Sequence, residues 1–582
     1  MPRRPKPGQA NSRPAAARPS IDSYWERRIA PFLAKWALPL ALCLIAFASA
    51  RVVSTYSELS LTSDEPAHLG CGLEYLAKHV YKFETQHPPL SRAMVALGPY
   101  LEGYRPAGKT EMSDDAVAAF YRYGNFDRTV FLMRLGILPF FLMACAVIYI
   151  WAAWQFGKPA ALIATVFFTV EPNVLAHAGL ATTDMALTAC LGAAFLALLW
   201  WAASPSIGRG VLLGVFTALA VVSKFTALGY LPAAAVLALA GYLWVNKPGW
   251  DRLRAWTLQR LATFALAAAV CALTVWSVFW FSFGKVPGWS IGLPAPELFD
   301  GIRMAMRHNA EGHPAFLLGE YSSKGWWYFF PVALFYKTEI AMLVLLPVGL
   351  WAAWRHRRGY GWTPTALCLG VLAPAMTSHV NIGLRHILPI YFGFSILAAL
   401  GVIELARRGR SAVGALLIPV LLIGWAATSS ARQHPDYLAY FNEFAGERPD
   451  SILVDSDLDW GQGMRWLARR LRQAGAHEAA LMEITGPART SEFMTRFYGM
   501  PPIKPVKRIF PDEGWNVISP SSIHLVPGGG KFHQTNPEYT GALAAFNGLW
   551  YERVLPTEKV GPLLVYKIPK NFLPSYPVSE VR

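Results

Sequence analysis

Residues 36–68 read WALPLALCLIAFASARVVSTYSELSLTSDEPAH. From Trp36 to Ser54 the run is apolar except for Arg51; two adjacent carboxylates, Asp64 and Glu65, then stand directly before Pro66. A helix that crosses a bilayer needs ~20 mostly apolar residues, so the first part predicts a membrane span and the second an acidic segment where that span leaves the lipid. Arg27, Arg28 and Lys35 precede the run, and Ala48-Ser49-Ala50 near its end imitates a signal-peptide cleavage site. The apolar run is long enough to stay as an anchor.

The same pattern recurs along the chain. Spans are expected near 36–54, 130–153, 159–176, 185–203, 210–223, 226–245, 261–282, 332–353, 363–379, 387–404 and 412–430, about eleven in all. The composition agrees: 54% of the 582 residues are hydrophobic and 15% charged, against roughly a quarter charged in soluble domains. The net charge of +16 does not point to nucleic acid, because the basic residues collect between apolar runs and in the N-terminal tail. Five of the six cysteines lie within apolar runs, so no disulfide framework is expected.

Placing the N-terminus inside puts Lys158, Arg209, Lys247, Arg252, Arg254, Arg260, Arg355, Arg357, Arg358, Arg407, Arg408 and Arg410 in short inner segments, as the positive-inside rule requires. An odd number of spans leaves the C-terminus outside. Residues 1–30 read as a disordered cytoplasmic tail, 31–430 as a transmembrane domain with a first outer loop over 56–128, and 431–582 as a small extracytoplasmic α/β domain. Helical stretches are expected at 66–79, 89–101 and 461–474, and strands at Ala480–Ile484, Ser522–Val526 and Leu563–Ile568.

Asp64 and Glu65 admit two readings. Ser63 or Asp64 before Pro66 suits a helix N-cap; a carboxylate at a membrane surface also suits a general base. Further on, Gln86-His87-Pro88-Pro89-Leu90-Ser91-Arg92 opens another apolar helix. The run Asp455-Ser456-Asp457-Leu458-Asp459-Trp460 lacks the glycine and glutamate of a calcium-binding EF-hand loop; a turn capping the next helix and acceptor recognition are its two readings.

Asp64-Glu65 with His68, followed by His87-Pro88-Pro89-Leu90 and Arg92, resembles the first outer loop of protein O-mannosyltransferases and their bacterial relatives, glycosyltransferase family 39 of the GT-C class. Arg134, Asp184 in Ala181-Thr182-Thr183-Asp184, Asn381 to Pro389, and the stretch from Gly312-His313-Pro314 to Lys337-Thr338 add to the likeness. It covers roughly 30–430. The resemblance implies a GT-C fold in a bacterial cytoplasmic membrane. It also implies transfer of a sugar from a polyprenyl phosphate, with inversion, to a hydroxyl of a protein, lipid or glycan. Asp64 matches the base; Glu65 and Asp184 are the accompanying acids; His87, Arg92, Arg134, Lys224, Lys337 and Arg385 are candidates to hold the donor phosphate, with His68 and His386 nearby. No organic cofactor is implied and a divalent metal stays open, since Gln86-His87 stands where the related aminoarabinose transferases carry an acid and a lysine. The rival class, a transporter or flippase for lipid-linked sugar, would place its charges in broken helices near mid-membrane, often in repeated halves.

Overall fold

The computed structural model describes residues 23–355, 361–482, 486–507, 511–525, 550–552, 554–570 and 572. The expected tail is shorter than 1–30. A π-helical turn, Trp25–Ile29, leads straight into the helix Ala30–Ser54, and residues 1–22 lie outside the described set.

Among the described residues, seven helices are long and apolar enough to cross a membrane: Trp25–Ser54, Phe126–Phe156, Asp184–Ala203, Ala227–Asn246, Trp250–Val278, Ile390–Arg408 and Ala412–Arg432. Two more expected spans are bent pairs. Lys158–Val170 turns by 67° into Pro172–Ala178, and Phe329–Lys337 turns by 114° into Ile340–Arg355. Two others, Ile207–Ser223 and Thr363–Ala375, are apolar but short. All eleven expected places thus hold helix. The bends have local causes: Pro172 cannot continue the helix before it, and Thr338 is extended between its two helices.

Apolar side chains face outward along these helices, among them Phe32, Leu42, Phe47, Leu261, Phe264, Leu273, Val413, Leu417 and Leu421. Such a surface is stable only against lipid. Inward, small residues let backbones approach. A Cβ on Gly349 would stand 1.9 Å from the Leu397 carbonyl oxygen, and one on Gly192 would meet the Phe392 ring. Without a hydrophobic drive between helices in lipid, close van der Waals packing of this kind holds them together.

The first loop folds into Glu65–Lys78, Pro89–Leu101 and a third helix, Met112–Tyr123, that the sequence reading did not separate. Between spans lie two small hairpins, β1 (Phe283–Lys285) with β2 (Gly292–Pro294) and β3 (Ala315–Leu317) with β4 (Glu320–Ser322), and the helix Pro296–Glu311.

After Arg432 the chain builds a five-stranded mixed sheet from β5 (Ala479–Met482), β6 (Ile503–Pro505), β7 (Gly514–Ile518), β8 (Glu558–Val560) and β9 (Leu563–Ile568), in the order β6-β5-β7-β9-β8. The helix Met464–Gln473 and the strand Leu563–Ile568 stand where expected. The strand expected at Ser522–Val526 does not form: Pro520 occupies the first turn of a short helix, Pro520–His524, and Val526 lies outside the described residues, as does Ile484 of Ala480–Ile484. This segment docks on the first loop. Ser60 donates to Gly461 O at 2.9 Å and accepts Met464 N–H at 2.9 Å, and Phe497 stacks on Phe126 at 4.7 Å.

Candidate active site

Glu65 begins its helix facing inward. Its carboxylate takes Arg134 Nε and Nη2, each at 2.9 Å, together with the N–H groups of Thr62 at 2.8 Å and Ala181 at 2.9 Å. Arg134 spends its other donors on the carbonyls of Tyr56, Leu59 and Ser60. Both side chains are fully buried. Burial alone would raise the Glu65 carboxyl, but the charge of Arg134 outweighs it and holds the group ionised. Every hydrogen-bonding position is used, so this pair binds the first loop to the span Phe126–Phe156 and leaves nothing for a substrate.

Asp64, one residue earlier, points the other way. It precedes the helix but makes no side-chain capping bond, which removes the capping explanation for it. Its side chain is 38% exposed and lines a cavity of about 730 Å³. Within that cavity Arg385 Nη1 lies 3.0 Å from Asp64 Oδ2 and 3.8 Å from Asp184 Oδ2, while Lys224 Nζ donates to Asp184 Oδ1 at 2.7 Å. Acid and base therefore alternate along Asp64, Arg385, Asp184 and Lys224. Burial opposes the charge on Asp64, yet Arg385 keeps the carboxyl below its ordinary value. The Arg385 guanidinium also lies 4.1 Å above the Trp460 ring, and its Nε and Asp184 Oδ2 have no hydrogen-bond partner. Both atoms are closed off from the cavity, and Asp184 Oδ2 has Arg385 Nη1 as a neighbouring cation.

Each side chain is carried by a helix end. Asp184 opens Asp184–Ala203; Lys224 closes Ile207–Ser223; Arg385 sits in the 3-10 turn Leu384–Ile387 before Ile390–Arg408. That turn is pinned by Asp457, whose Oδ1 accepts Leu384 N–H at 2.9 Å.

His87 and His386 also line the cavity. His87 is oriented by Glu84, which takes its Nδ1 at 3.0 Å and its backbone N–H at 3.1 Å. Burial, then the charges of Lys224 and Arg385, push His386 well below its ordinary value. Three phosphate candidates are committed elsewhere. Arg134 is locked to Glu65; Arg92 donates to Tyr81 at 2.8 Å, to His68 Nδ1 at 3.1 Å and to Glu84; Lys337 donates to the carbonyls of Leu438 at 2.8 Å and Asp457. Burial and the neighbouring Arg92 lower His68 to about 3, so it serves as a neutral acceptor. The sequence reading left out His308 and Asn309, quoted Gln86 and His313 without making them site residues, and gave the run from Asp455 to Trp460 helix capping or acceptor recognition; His308, Asn309, Gln86, His313, Asp455 and Trp460 all line the cavity. Burial, then His313 and His87, lower His308. Among the described residues no three His, Cys, Asp or Glu side chains come together in a way that could hold a metal ion.

The arrangement defines a polytopic protein with a charged cavity at one end of its helices, roofed by its C-terminal segment. Residues 24–288, slightly under half of the chain, match the family described as dolichyl-phosphate-mannose-protein mannosyltransferase, so the resemblance to these enzymes is shown over the part that carries Asp64, His87, Asp184 and Lys224. No curated protein sequence matches. Among solved structures, ArnT from Cupriavidus metallidurans bound to undecaprenyl phosphate is similar at 15% identity, with 90% of this chain and 97% of that chain covered and a TM-score of 0.48. The S. cerevisiae protein O-mannosyltransferase Pmt1-Pmt2 complex bound to the sugar donor is similar at 17% identity over 42% of this chain and 33% of that one, with a TM-score of 0.33. The Archaeoglobus fulgidus oligosaccharyltransferase AglB, in complex with an inhibitory peptide and a dolichol-phosphate, gives 11%, 85%, 70% and 0.35.

If Glu65 is structural, Glu65→Gln should lower the unfolding temperature of the detergent-solubilised protein. Breaking one side of a buried ion pair costs about 3–5 kcal/mol. Unchanged unfolding with lost catalysis would return Glu65 to the chemistry.

Proposed function

We propose that this chain is an inverting glycosyltransferase that moves a hexose, of the mannosyl type, from a polyprenyl phosphate to an acceptor hydroxyl on the outer side of the cytoplasmic membrane. The observation that carries this reading is the cavity-exposed carboxylate of Asp64 bound to Arg385, at the mouth of an apolar helical bundle. The family match over 24–288 supports it.

The residues can perform each part. Asp64 accepts the hydrogen bond of the acceptor hydroxyl and aligns its oxygen on the anomeric carbon. As the glycosidic bond breaks, negative charge grows on the leaving phosphate. Arg385 reaches Asp64 and Asp184 through Nη1, which leaves Nη2 to follow charge from the attacking side to the leaving side. A guanidinium offers phosphate a planar pair of donors that an ammonium lacks. Lys224, His87 and His386 add polar groups on the same wall. Asp184 holds Lys224 and Arg385 apart and in place. The charges that face the cavity sit at helix ends, which suits an enzyme working at the membrane surface.

Orientation follows from charge. Lys158, Arg209, Lys247, Arg252, Arg254, Arg355, Arg407 and Arg408 lie at the helix ends remote from the cavity, and a basic end faces the cytoplasm. The N-terminus is then inside, and the cavity and the segment after Arg432 outside. A cysteine placed at the exposed Lys559 should react with an impermeant thiol reagent in intact cells; labelling only after lysis would reverse the orientation.

Asp64→Asn should reduce transfer by about 10²–10⁴ with unfolding unchanged, measured with undecaprenyl phosphate sugars in detergent. Activity within about threefold of wild type would contradict the role of a base.

Arg385→Ala should lower kcat as well as raise KM, by about 10²–10³ in kcat, and Arg385→Lys should recover only part. A change confined to KM for the lipid donor would make Arg385 a headgroup anchor.

A further inference from the structure

The chain that leaves the span Trp250–Val278 enters the hairpin of β1 and β2 with its apolar side chains turned outward. Trp280, Phe281, Phe283, Trp289 and Ile291 are all exposed, Phe283 at 69% and Ile291 at 66%. Single exposed apolar residues need no explanation, but a cluster of large ones marks an interaction surface. The helix that follows, Pro296–Glu311, extends it. Helical spacing puts Gly301, Ala305 and His308 on one face, where a Cβ on Gly301 would stand 2.2 Å from Thr85 O and where Ala305 and His308 line the cavity. Phe299, Met306 and Ala310 stand on the opposite face, the last two of them exposed.

The backbone holds this surface in shape. Trp280 and Phe281 have φ of 56° and 54°, a region costly for bulky residues and kept only where surrounding structure enforces it. Here hydrogen bonds enforce it: Trp280 N–H donates to Ser277 O at 3.0 Å, Phe281 N–H to Trp276 O at 3.0 Å, and Trp276 Nε1 to Ser282 O at 2.8 Å. The Ser282 hydroxyl donates to Glu297 Oε2 at 2.7 Å. At the tip of the hairpin Arg303 Nη1 donates to Pro287 O at 2.8 Å, and the Trp289 ring lies 6.0 Å from that of Phe299. Hairpin and helix therefore form one unit. It is braced on the first loop, where Thr85 Oγ1 donates to Asp300 Oδ2 at 2.9 Å and the His79 ring lies 4.2 Å from Trp280.

We propose that this unit is an interfacial anchor, seated in the leaflet on the cavity side of the membrane with Phe283, Trp289, Ile291 and Met306 at the boundary between headgroups and acyl chains. Two observations select lipid as the occupant of the exposed face. The first is continuity. The span before the hairpin already turns Leu261, Phe264 and Leu273 outward to lipid, and Trp280 and Phe281 carry that apolar surface on into the hairpin. The second is composition. Tryptophan concentrates at membrane interfaces, where its ring and its N–H both find partners. The charges of the unit balance, Lys285, Arg303 and Arg307 against Glu297, Asp300 and Glu311, so burial of apolar area seats it rather than attraction to charged headgroups. Seated there, the helix holds one wall of the cavity, Ala305 and His308, at the height of the leaflet. On the glycosyltransferase reading that is the height at which a polyprenyl phosphate presents its headgroup.

The test uses the full chain in phosphatidylcholine nanodiscs. Cys43→Ala and Cys271→Ala remove the two native thiols that are not buried, and one cysteine is then introduced to carry an environment-sensitive fluorophore. Phe283→Cys and Ile291→Cys report on the hairpin, Met306→Cys on the helix, and Lys559→Cys, in the segment after the last span, is the reference in water. All four sites are exposed, so the label displaces no packed side chain. With lipids brominated near the top of their acyl chains, about 5–10 Å below the surface, the labels at Phe283 and Ile291 should lose most of their emission, that at Met306 part of it, and that at Lys559 none. Iodide dissolved in the water should act in the reverse order. Iodide quenching at the first three sites as strong as at Lys559, with no effect of bromine, would place the unit in water and overturn the proposal. Protection from both quenchers would show a protein on this face, a second copy or another partner, and would overturn it equally. No sugar transfer enters the readout, so its failure would leave the transferase reading standing.

Discussion

The buried pair Glu65–Arg134 sets the position of almost everything else. An isolated ion inside such a core would cost several kcal/mol, and here seven hydrogen bonds, two within the pair and five to backbone groups, close around the two charges until no position is left over. The result is a rigid joint between the exit of the first span, the start of the second and the residues before Asp184. Because successive side chains on a helix diverge by about a quarter turn, fixing Glu65 inward decides the direction of its neighbour. Asp64 is turned into the cavity as a geometric consequence of what Glu65 does.

Around that joint, charge is organised in alternation. Asp64, Arg385, Asp184 and Lys224 form a row in which each group has an opposite neighbour, so the cavity can hold several ionised groups in a poorly solvated place without an uncompensated one. Under the proposed function, a phosphorylated lipid would enter a site whose own charges are already balanced. Glu84 plays the corresponding part on the opposite wall, joining Arg92 and His87.

Much of this was legible in the sequence, and what was not has physical reasons. Apolar runs marked all eleven helical places, because lipid demands continuous apolarity. The sharp bends escaped notice although Glu171-Pro172 and Glu339 within apolar runs carried the signal. Asp64, Lys224, Arg385, His87 and His386 do line one cavity, and Asp184 lies buried behind it, paired with Lys224 and Arg385. Glu65, Arg92, Arg134, Lys337 and His68 were indistinguishable from them by residue type and neighbourhood, since only three-dimensional packing decides whether a cation near a helix end turns inward to carbonyls or outward to a ligand. His308, Asn309, Asp455 and Trp460 come from segments far apart in the chain, and no local spacing connects them. The strand expected at Ser522–Val526 overvalued Ile523 and Leu525 against Pro520, which favours a helical first turn.

The cavity's walls are drawn from across the chain: the loop after the first span, the turns at Lys224 and Arg385, the helix carrying His308, and the segment from Asp455 to Leu525. During synthesis, then, the ribosome has passed well beyond the last span before the site exists at all. The helices can pack while Asp64 and Arg385 are still open to solvent, and only the segment after them shuts solvent out and brings up Trp460. Chain order thus delays competence until that segment has folded, and a nascent chain halted after its helices would hold half-assembled chemistry without a chamber in which to perform it.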